Sequence, residues 1–443
     1  MALSGLEIYK LLPKTNCKKC GFPTCLAFAM ALAQKKTSLD KCPDVTEEAK
    51  KALESASEPP IRLITIGSGD KKLEIGNETV MFRHEEKFHH PTGVGFLIED
   101  SQSEDEIKKA VTEINKLEFE RVGQKIGVNI IALKEKSDKF RFLKALKIIL
   151  EGTSLPLLLI SDKIDTLKEA LSVSRDKNPL IGYCTENNLS DMANLAREYK
   201  VPLIVKGDNL DTLEKNVKSI NEKGIRDIVI YTGEKILSEK IWDLTIIRRI
   251  ALKKSFRLFG YPAIAFASSD DLFEEASMAN TLVAKYAGIC ILKHRLAWQV
   301  LSILTLRQNI YTDPQKPLQV EPKLYEIGKT NAQSPVLITT NFSLTYYTVE
   351  AEVEGSKKPA FIISCDTEGM SVLTAWAAEK FTAESIAKAL KGSGVKEKVS
   401  HSSIIIPGYV SVLSGKLEDE SGWKVIVGPR EASGIPSFLR NIT

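Results

Sequence analysis

The chain has 443 residues, of which 43% are hydrophobic and 27% charged, with 61 Lys and Arg against 57 Asp and Glu. This composition is typical of a folded globular protein, and the length suggests two to four domains. A net charge of +4 gives no indication of nucleic-acid binding, and no apolar run approaches the about 20 residues that cross a bilayer. Because the first residues also lack the pattern of a secretory signal, we expect a cytoplasmic protein with no membrane or nucleic-acid partner.

Four of the seven cysteines lie close together near the start of the chain. Cys17, Cys20, Cys25 and Cys42 follow the spacing Cys-x2-Cys-x4-Cys-x16-Cys, and a proline comes next. Structural zinc sites usually use two separate Cys-x2-Cys pairs, whereas three cysteines in one loop and a fourth before proline suit an iron–sulfur cluster. We predict a 4Fe–4S cluster on these four thiolates, in a domain over residues 1–58. A zinc site and free core thiols are the alternatives.

Residues 59–311 alternate short apolar runs with helical patterns. A predicted helix over 46–56, followed by a pair of prolines, separates this region from the cysteine domain. Continuous apolar strands indicate burial on both faces, as in a parallel sheet covered by helices. Eight such strand–helix units predict a closed (β/α)8 TIM barrel in preference to an open doubly wound sheet. The predicted strands are 93–98, 126–133, 156–160, 180–184, 202–206, 227–231, 261–267 and 288–292.

Two further apolar segments precede the barrel strands. Residues 61–67 and 79–82 lie on either side of a turn that begins Gly-Ser-Gly-Asp. We expect these segments to pair as a hairpin that plugs the bottom of the barrel.

The chain after the barrel begins with four prolines in residues 312–335, and we predict an extended interdomain linker there. Strand–helix alternation then resumes over 336–443 and predicts a small Rossmann-like α/β domain. Its predicted strands are 336–340, 360–364, 403–407 and 424–428, with helices near 343–353 and from about Gly369. The fold class is therefore α/β, with a small cysteine domain before the barrel. Ligands of such sheets bind at the carboxyl ends of the strands.

The segment "NCKKCGFPTCLAFAMA", with its later Cys-Pro, resembles the small iron–sulfur domain of several anaerobic redox proteins. Joined to a barrel and a small C-terminal α/β domain, it resembles the large (gamma) subunit family of the corrinoid iron–sulfur proteins of the acetyl-CoA (Wood–Ljungdahl) pathway. The resemblance covers the whole chain. The domain combination is more specific than the cysteine motif.

The resemblance implies that the C-terminal domain binds a corrinoid, a cobalamin-type cobalt cofactor. Three loops at predicted strand ends offer hydroxyl and amide groups for the amides of a corrin ring, and apolar side chains for its face. From composition alone these are ordinary capped helix starts, and the resemblance reverses that preference. The implied contacts are Thr340, Asn341, Tyr346, Gly369, Met370, Ser371, Val372, Leu373, Thr374, Ala432, Ser433 and Gly434.

The histidines and the remaining cysteines add no further site. None of the five histidines lies in the Asp-x-His-x-x-Gly motif that supplies a protein ligand to cobalt. The resemblance therefore implies a base-off corrinoid without a histidine ligand. The segment "RHEEKFHH" is interpreted as a solvated loop. Three isolated cysteines in or beside apolar strands are expected to be core thiols without metal: Cys184, Cys290 and Cys365.

The resemblance also implies a function and a set of partners. The cobalt would accept the methyl group of methyltetrahydrofolate from a methyltransferase and pass it to the nickel site of acetyl-CoA synthase/CO dehydrogenase. The 4Fe–4S cluster would reduce cobalt that has been inactivated by oxidation, with electrons from a low-potential donor. A smaller subunit is expected to complete a heterodimer.

Two other functions remain open at this stage. The chain could be an electron-transfer iron–sulfur subunit without a corrinoid, or a barrel methyltransferase that binds the folate itself. The barrel's strand ends show no acid–base constellation in the sequence, so no catalytic residue is assigned on the protein. The corrinoid's lower base and the redox potentials do not follow from these patterns.

Overall fold

The structure is a computed structural model that describes residues 5–33, 37, 39–46, 59–314 and 317–442. The helix predicted over 46–56 lies outside the described residues, apart from its first position. Within the described ranges, no helix is both long enough and apolar enough to cross a membrane. Contacts divide the chain into two compact units, residues 1–119 with 126–311 and residues 120–125 with 312–443.

The N-terminal segment contains two helices, α1 (Gly5–Leu11) and α2 (Cys25–Ala33), and a 3-10 turn over Leu39–Lys41. The helices pack on each other through Ile8 and Phe28 in a small apolar core. Such a small core offers little hydrophobic stabilisation on its own.

A hairpin of β1 (Ile64–Ile66) and β2 (Leu73–Ile75) precedes the barrel. Its apolar side chains join the core that fills the barrel interior. The backbone N–H of Gly67 donates to the carbonyl of Asn178 at 2.9 Å, just before a barrel strand, so the hairpin closes the amino-terminal end as predicted. The prediction of its second strand at 79–82 is wrong, because the return strand begins directly after the turn, at Leu73.

Eight parallel strands close into a barrel, as predicted. Every strand is buried on both faces, which explains the continuous apolar runs in the sequence. The strands are β3 (Gly93–Glu99), β6 (Ile130–Lys134), β7 (Leu157–Ile160), β8 (Leu180–Cys184), β9 (Leu203–Lys206), β10 (Ile228–Tyr231), β11 (Ala263–Ala267) and β12 (Ala287–Leu292).

A helix follows each barrel strand and covers its outer face. Several of these helices begin at a capping residue, as at Ser103, whose side chain and Glu106 form a reciprocal capping box. The helices are α3 (Glu104–Asn115), α4 (Lys139–Gly152), α5 (Ile164–Ser174), α6 (Leu189–Tyr199), α7 (Leu210–Glu222), α8 (Leu237–Lys253), α9 (Leu272–Ala284) and α10 (Ala297–Tyr311).

A second hairpin, β4 (Glu118–Arg121) and β5 (Gln124–Gly127), was not predicted from the sequence. Val122 and Gly123 between its strands have φ values of 53° and 66°, as a type I′ turn requires. The strand predicted over 126–133 is therefore divided between β5 and the barrel strand β6. The signal for this turn was weak, because valine rarely adopts positive φ.

The C-terminal unit contains a five-stranded sheet in the order β13-β15-β14-β16-β17. Its strands are β13 (Leu324–Ile327), β14 (Val336–Thr340), β15 (Ala360–Cys365), β16 (Ser403–Ile406) and β17 (Lys424–Val427), and all but β13 are parallel. The four parallel strands follow the spatial order 2-1-3-4 of a doubly wound sheet. The strand order changes direction between the neighbouring strands β14 and β16, which is the topological switch point of the sheet.

Helices cover both faces of this sheet: α11 (Ser343–Ser356), α12 (Val372–Ala377), α13 (Ala383–Gly392), α14 (Ser414–Ser421) and α15 (Ile435–Asn441). One core packs against α13 and α14 and the other against α11 and α15.

The linker predicted over all of 312–335 is too long. β13 pairs antiparallel with β15, and the N–H of Ser343 donates to the carbonyl of Leu318 at 2.9 Å. From Leu318 onward the chain therefore belongs to the C-terminal sheet. Prolines are tolerated in this passage because it runs along the edge of the sheet, where a missing N–H breaks no central ladder.

Candidate functional site

The loop before α2 contains several residues with positive φ and is bonded to the start of that helix. Asn16 and Lys18 have φ values of 49° and 63°, and Gly21 has 85° with no atom within 4 Å of where a Cβ would stand. The backbone N–H of Cys25, the first residue of α2, donates to Oδ1 of Asn16 at 2.8 Å. Cys17 is exposed and Cys25 is buried, while Cys20 and Cys42 are half-buried.

Cys42 lies within electrostatic reach of the other three predicted ligands. Burial raises the pKa of the Cys42 thiol, and the charges of Cys20, Cys17 and Cys25 raise it further, while a hydrogen bond from the backbone N–H of Asp44 lowers it. Four converging thiols are the donor set of an iron–sulfur cluster, and backbone N–H···S bonds are one of the protein's means of tuning it.

Within the ranges that the structure describes, no three His, Cys, Asp or Glu side chains have metal-binding geometry. The chemistry of the four thiols nevertheless suits a cluster. In sites of this kind, metal binding and folding are commonly coupled.

The other three cysteines have a different environment. Cys184, Cys290 and Cys365 are at most 1% exposed, and burial raises the pKa of each thiol to about 12. A thiol that stays protonated at neutral pH is a poor ligand and a poor nucleophile.

In the C-terminal unit, Asn341 organises two of the three predicted loops. Its Oδ1 accepts hydrogen bonds from the backbone N–H groups of Thr367 and Gly369 at 2.9 and 3.0 Å. Its Nδ2 donates to Gln319 and Asp366, both at 3.2 Å. The side chain is 1% exposed and is already fully bonded within the protein. Asn341 therefore positions the loop after β15, a role that the sequence pattern alone did not indicate.

Thr340 contrasts with its neighbour. It is fully buried at the carboxyl end of β14, and its hydroxyl has no hydrogen-bond partner among the described residues. Leaving a buried hydroxyl unpaired costs about 1–3 kcal/mol, so such groups are uncommon in native structures. An orphaned hydroxyl at a ligand-binding edge is what a site for the amide-rich corrinoid would provide.

Tyr346 lies in the core. It is 1% exposed, packs between Tyr325 and Tyr347, and donates through its hydroxyl to Glu350 at 3.0 Å. Its place in the core that faces α11 and α15 shows a structural role for this side chain.

The segment from Gly369 to Thr374 forms a turn and then a helix. The helix was predicted to open at Gly369–Ser371, but α12 begins at Val372, because Glu368 and Gly369 adopt positive φ. Ser371 occupies the N-cap position, and its hydroxyl lies 3.0 Å from that of Thr374. Met370 is half-buried and Leu373 is 45% exposed, so apolar surface is open at this edge.

The loop after β16 was missed in the sequence analysis. Residues Gly408–Leu413 form a 3-10 turn beside the switch point, where Tyr409 and Val412 are 43% and 71% exposed. A Cβ on Gly408 would stand 2.6 Å from the carbonyl of Gly428, so the loops after β16 and β17 touch. The signal was available, since a Pro-Gly pair with exposed apolar residues directly follows the apolar strand.

The last predicted loop forms a short 3-10 turn over Ala432–Gly434, with Ser433 at its centre, and leads into α15. Together with the loops after β14, β15 and β16, it lies at the carboxyl edge of the C-terminal sheet. The one histidine of this unit, His401, precedes β16 and lies at the opposite edge, where its Nε2 is 3.0 Å from the carbonyl of Ser334.

Comparison with protein families matches residues 63–439 to the family "CO dehydrogenase/acetyl-CoA synthase delta subunit" and residues 12–43 to the family "Putative Fe-S cluster". The second match contains all four clustered cysteines. The "Corrinoid/iron-sulfur protein large subunit" of Moorella thermoacetica is 47% identical over 99% of both chains. This chain belongs to the family of corrinoid/iron–sulfur protein large subunits.

The family extends to archaea. The "Acetyl-CoA decarbonylase/synthase complex subunit gamma" of Methanothermobacter thermautotrophicus is 36% identical, again over 99% of both chains. Among solved structures, a dihydropteroate synthase from Thermus thermophilus covers 56% of this chain and 100% of its own at 15% identity, with a TM-score of 0.39.

We expect Asn341→Ala to loosen the loop after β15 without unfolding the sheet. The buried N–H groups of Thr367 and Gly369 would lose their acceptor, at a cost of about 1–3 kcal/mol. Hydrogen–deuterium exchange of residues 366–371 should therefore speed up. Thr348→Ala, on the exposed side of α11, is the control and should leave that exchange unchanged. Equal protection in wild type and Asn341→Ala would contradict this role for Asn341.

Proposed function

We propose that this protein is a methyl-group carrier of the acetyl-CoA pathway that holds a 4Fe–4S cluster at its N-terminus and a corrinoid in its C-terminal domain. Full-length similarity to a corrinoid/iron–sulfur large subunit and to a decarbonylase/synthase gamma subunit supports the proposal. The observation that carries it is the carboxyl edge of the C-terminal sheet, with the orphaned hydroxyl of Thr340 and exposed apolar side chains beside the switch point.

Cys17, Cys20, Cys25 and Cys42 would hold the cluster. The backbone N–H of Asp44 would bond the sulfur of Cys42, which stabilises the thiolate form and opposes the effect of burial. The aromatic pair Phe22 and Phe28, with ring centroids 5.5 Å apart, packs in the same small core and would keep water from one side of the cluster.

The corrinoid would lie across the loops at the carboxyl edge of the C-terminal sheet. Thr340 would donate or accept one hydrogen bond from inside the sheet, and the Asn341-bonded turn at Gly369 would present backbone groups of residues 369–371. Leu373, Tyr409 and Val412 would supply apolar contact. When bound, the corrinoid supplies a cobalt centre that accepts and releases a methyl group. The position of His401 at the other edge suits a base-off corrinoid without a histidine ligand.

We further propose the partners that such a carrier needs. These are a smaller subunit in a heterodimer, a methyltetrahydrofolate methyltransferase, acetyl-CoA synthase/CO dehydrogenase and a low-potential electron donor. The proposed domains are residues 1–58, 59–311 and 318–443. A short connection remains before Leu318, and a domain held on it could meet several partners in turn.

We predict that Cys20→Ala abolishes the iron–sulfur absorption and the bound iron while leaving cobalt content unchanged. Removing one of four thiolates leaves an incomplete donor set, whereas the corrinoid site lies in another unit. Cys184→Ser is the matched control, because that thiol is buried in the barrel, and it should retain both metals. The readout is iron and cobalt analysis of protein purified without oxygen. Zinc in place of iron, or no cobalt in wild type, would contradict the proposal and favour a zinc or electron-transfer subunit.

We predict that Thr340→Val weakens corrinoid binding by about 2- to 10-fold, since one hydrogen bond contributes about 0.5–1.5 kcal/mol. The free energy of unfolding without corrinoid should stay equal or rise, because the replacement removes an unpaired buried hydroxyl and keeps its shape. Thr348→Val is the control. The measurements are cobalamin titration and urea unfolding. Unchanged cobalamin affinity would place the ligand elsewhere.

We predict that the cluster is needed for repair and not for each methyl transfer. The methyl group moves as a cation at both steps, so a cycle consumes no net electron. Cys20→Ala protein whose cobalt has been reduced chemically should therefore accept methyl groups at the wild-type rate, given the methyltransferase and methyltetrahydrofolate. It should fail only when a low-potential protein donor must restore oxidised cobalt. A collapsed single-turnover rate from reduced cobalt would assign the cluster a direct role.

A simple comparison distinguishes the methyl carrier from the alternative of a barrel methyltransferase that binds the folate itself. A barrel methyltransferase would bind methyltetrahydrofolate as the isolated chain and transfer its methyl group without a second protein. A carrier requires the added methyltransferase for the same reaction.

A further inference from the structure

The interior of the barrel ends in a closed apolar and aromatic layer on the carboxyl side. Ile160, Tyr231, Phe266 and Ile291 belong to the interior core, and each is at most 3% exposed. The ring of Tyr231 is 5.2 Å from that of Tyr183 and 5.4 Å from that of Phe266. The side chain two residues further along each strand faces the mouth of the barrel, because side chains two residues apart on a strand share a face.

Three lysines occupy that position. Lys134 follows the interior residue Ala132 by two positions, Lys206 follows Ile204, and Lys293 follows Ile291. Lys134 and Lys206 are the last residues of β6 and β9, and Lys293 lies one residue beyond β12; these are the second, fifth and eighth strands around the ring when β3 is counted as the first. Three ammonium groups thus approach the barrel axis from three well-separated directions.

The charges of these lysines are poorly neutralised within the mouth. Lys206 pairs with Asp208 at 3.2 Å and Lys293 with Asp270 at 2.5 Å, but these carboxylates are 81% and 95% exposed. Exposed pairs of this kind contribute little and exchange easily. Lys134 is half-buried and has no ion pair or hydrogen bond with its side chain in the described part of the chain. Like charges converging in this way favour a bound anion.

Acidic groups at the mouth of the barrel limit how strongly the three lysines attract an anion. Glu99 follows the interior side chain of Leu97 and faces the same mouth, although it pairs with the exposed Lys136 at 3.8 Å. Asp162 lies near Tyr183. An anion that binds here must therefore displace these carboxylates, which favours one that can bridge several lysines.

Tyr183 adds a neutral donor beside the lysines. The hydroxyl of Tyr231 donates to Glu234 at 2.7 Å, whereas that of Tyr183 makes no hydrogen bond to a described residue. Burial, with nearby Glu234, raises the pKa of both phenols, so they stay protonated at neutral pH. A protonated phenol can donate to a carboxylate or phosphate oxygen.

We propose that the carboxyl end of the barrel binds a small anion with two or more carboxylate or phosphate groups, held by Lys134, Lys206 and Lys293 above Tyr183. The interior of an eight-stranded barrel is only wide enough for side chains or one small ligand, which excludes a polymer. The carboxyl face is also where barrels of this type bind their ligands. This site is separate from the cluster and from the corrinoid edge, and the methyl-carrier proposal does not require it.

Isothermal titration of the full-length protein, purified without oxygen and carrying its cofactors, tests the proposal. The probes are pyrophosphate and citrate, with ionic strength held constant by sodium chloride. We expect saturable binding of at least one probe. Lys134→Gln and Lys206→Gln should each weaken it at least about tenfold, the loss of one charge-assisted hydrogen bond. Lys116→Gln, at the exposed C-cap of α3, is the matched control and should bind as wild type does.

A variant that is expected to tighten anion binding distinguishes loss of the site from misfolding. Glu99→Gln removes the acid that faces the same mouth, so it should tighten binding of the same probe. Weaker binding in the lysine variants together with tighter binding in Glu99→Gln would support the site. Absence of binding in wild type, or equal losses in Lys134→Gln and Lys116→Gln, would overturn it. Neither result would bear on cobalt or iron content, so the carrier function is tested separately.

Discussion

Burial of parallel strands on both faces is the constraint on which the rest of this structure depends. A strand covered by helices or by a barrel interior cannot carry a polar side chain along its length without an unpaired group. Polar chemistry is therefore pushed to the strand ends. In the barrel this produces the lysine layer above Tyr231, and in the C-terminal sheet it produces Thr340 and Asn341 at the end of β14.

The N-terminal segment obeys a different constraint. Its helices are short and their shared core contains few large side chains, so burial alone offers little stabilisation. Four thiolates that hold the proposed cluster would supply what the core lacks, because a metal cluster that binds the folded form adds its binding free energy to folding. Under the proposed function, the four cysteines would therefore contribute to the stability of this segment as well as to electron transfer.

The barrel could be predicted because its signal is repeated along the chain. Each strand is a continuous apolar run, and an error in one run does not change the fold. The second strand of the bottom hairpin and the strand β13 were misjudged because each is short and is defined by its partner, not by its own pattern. The hairpin at Val122 was missed because its turn uses a residue that turns disfavour.

The candidate site shows the same limit at the level of single residues. Thr340 and Asn341 are adjacent and both polar, and the family resemblance assigns both to the ligand. In the structure, Asn341 uses both ends of its amide to hold the neighbouring loop, whereas the hydroxyl of Thr340 is left unpaired. The difference depends on contacts with residues more than twenty positions away, which no local pattern records. A loop held in shape before the ligand arrives loses little entropy on binding, so a structural asparagine beside an unpaired buried hydroxyl is a reasonable way to build a preorganised site.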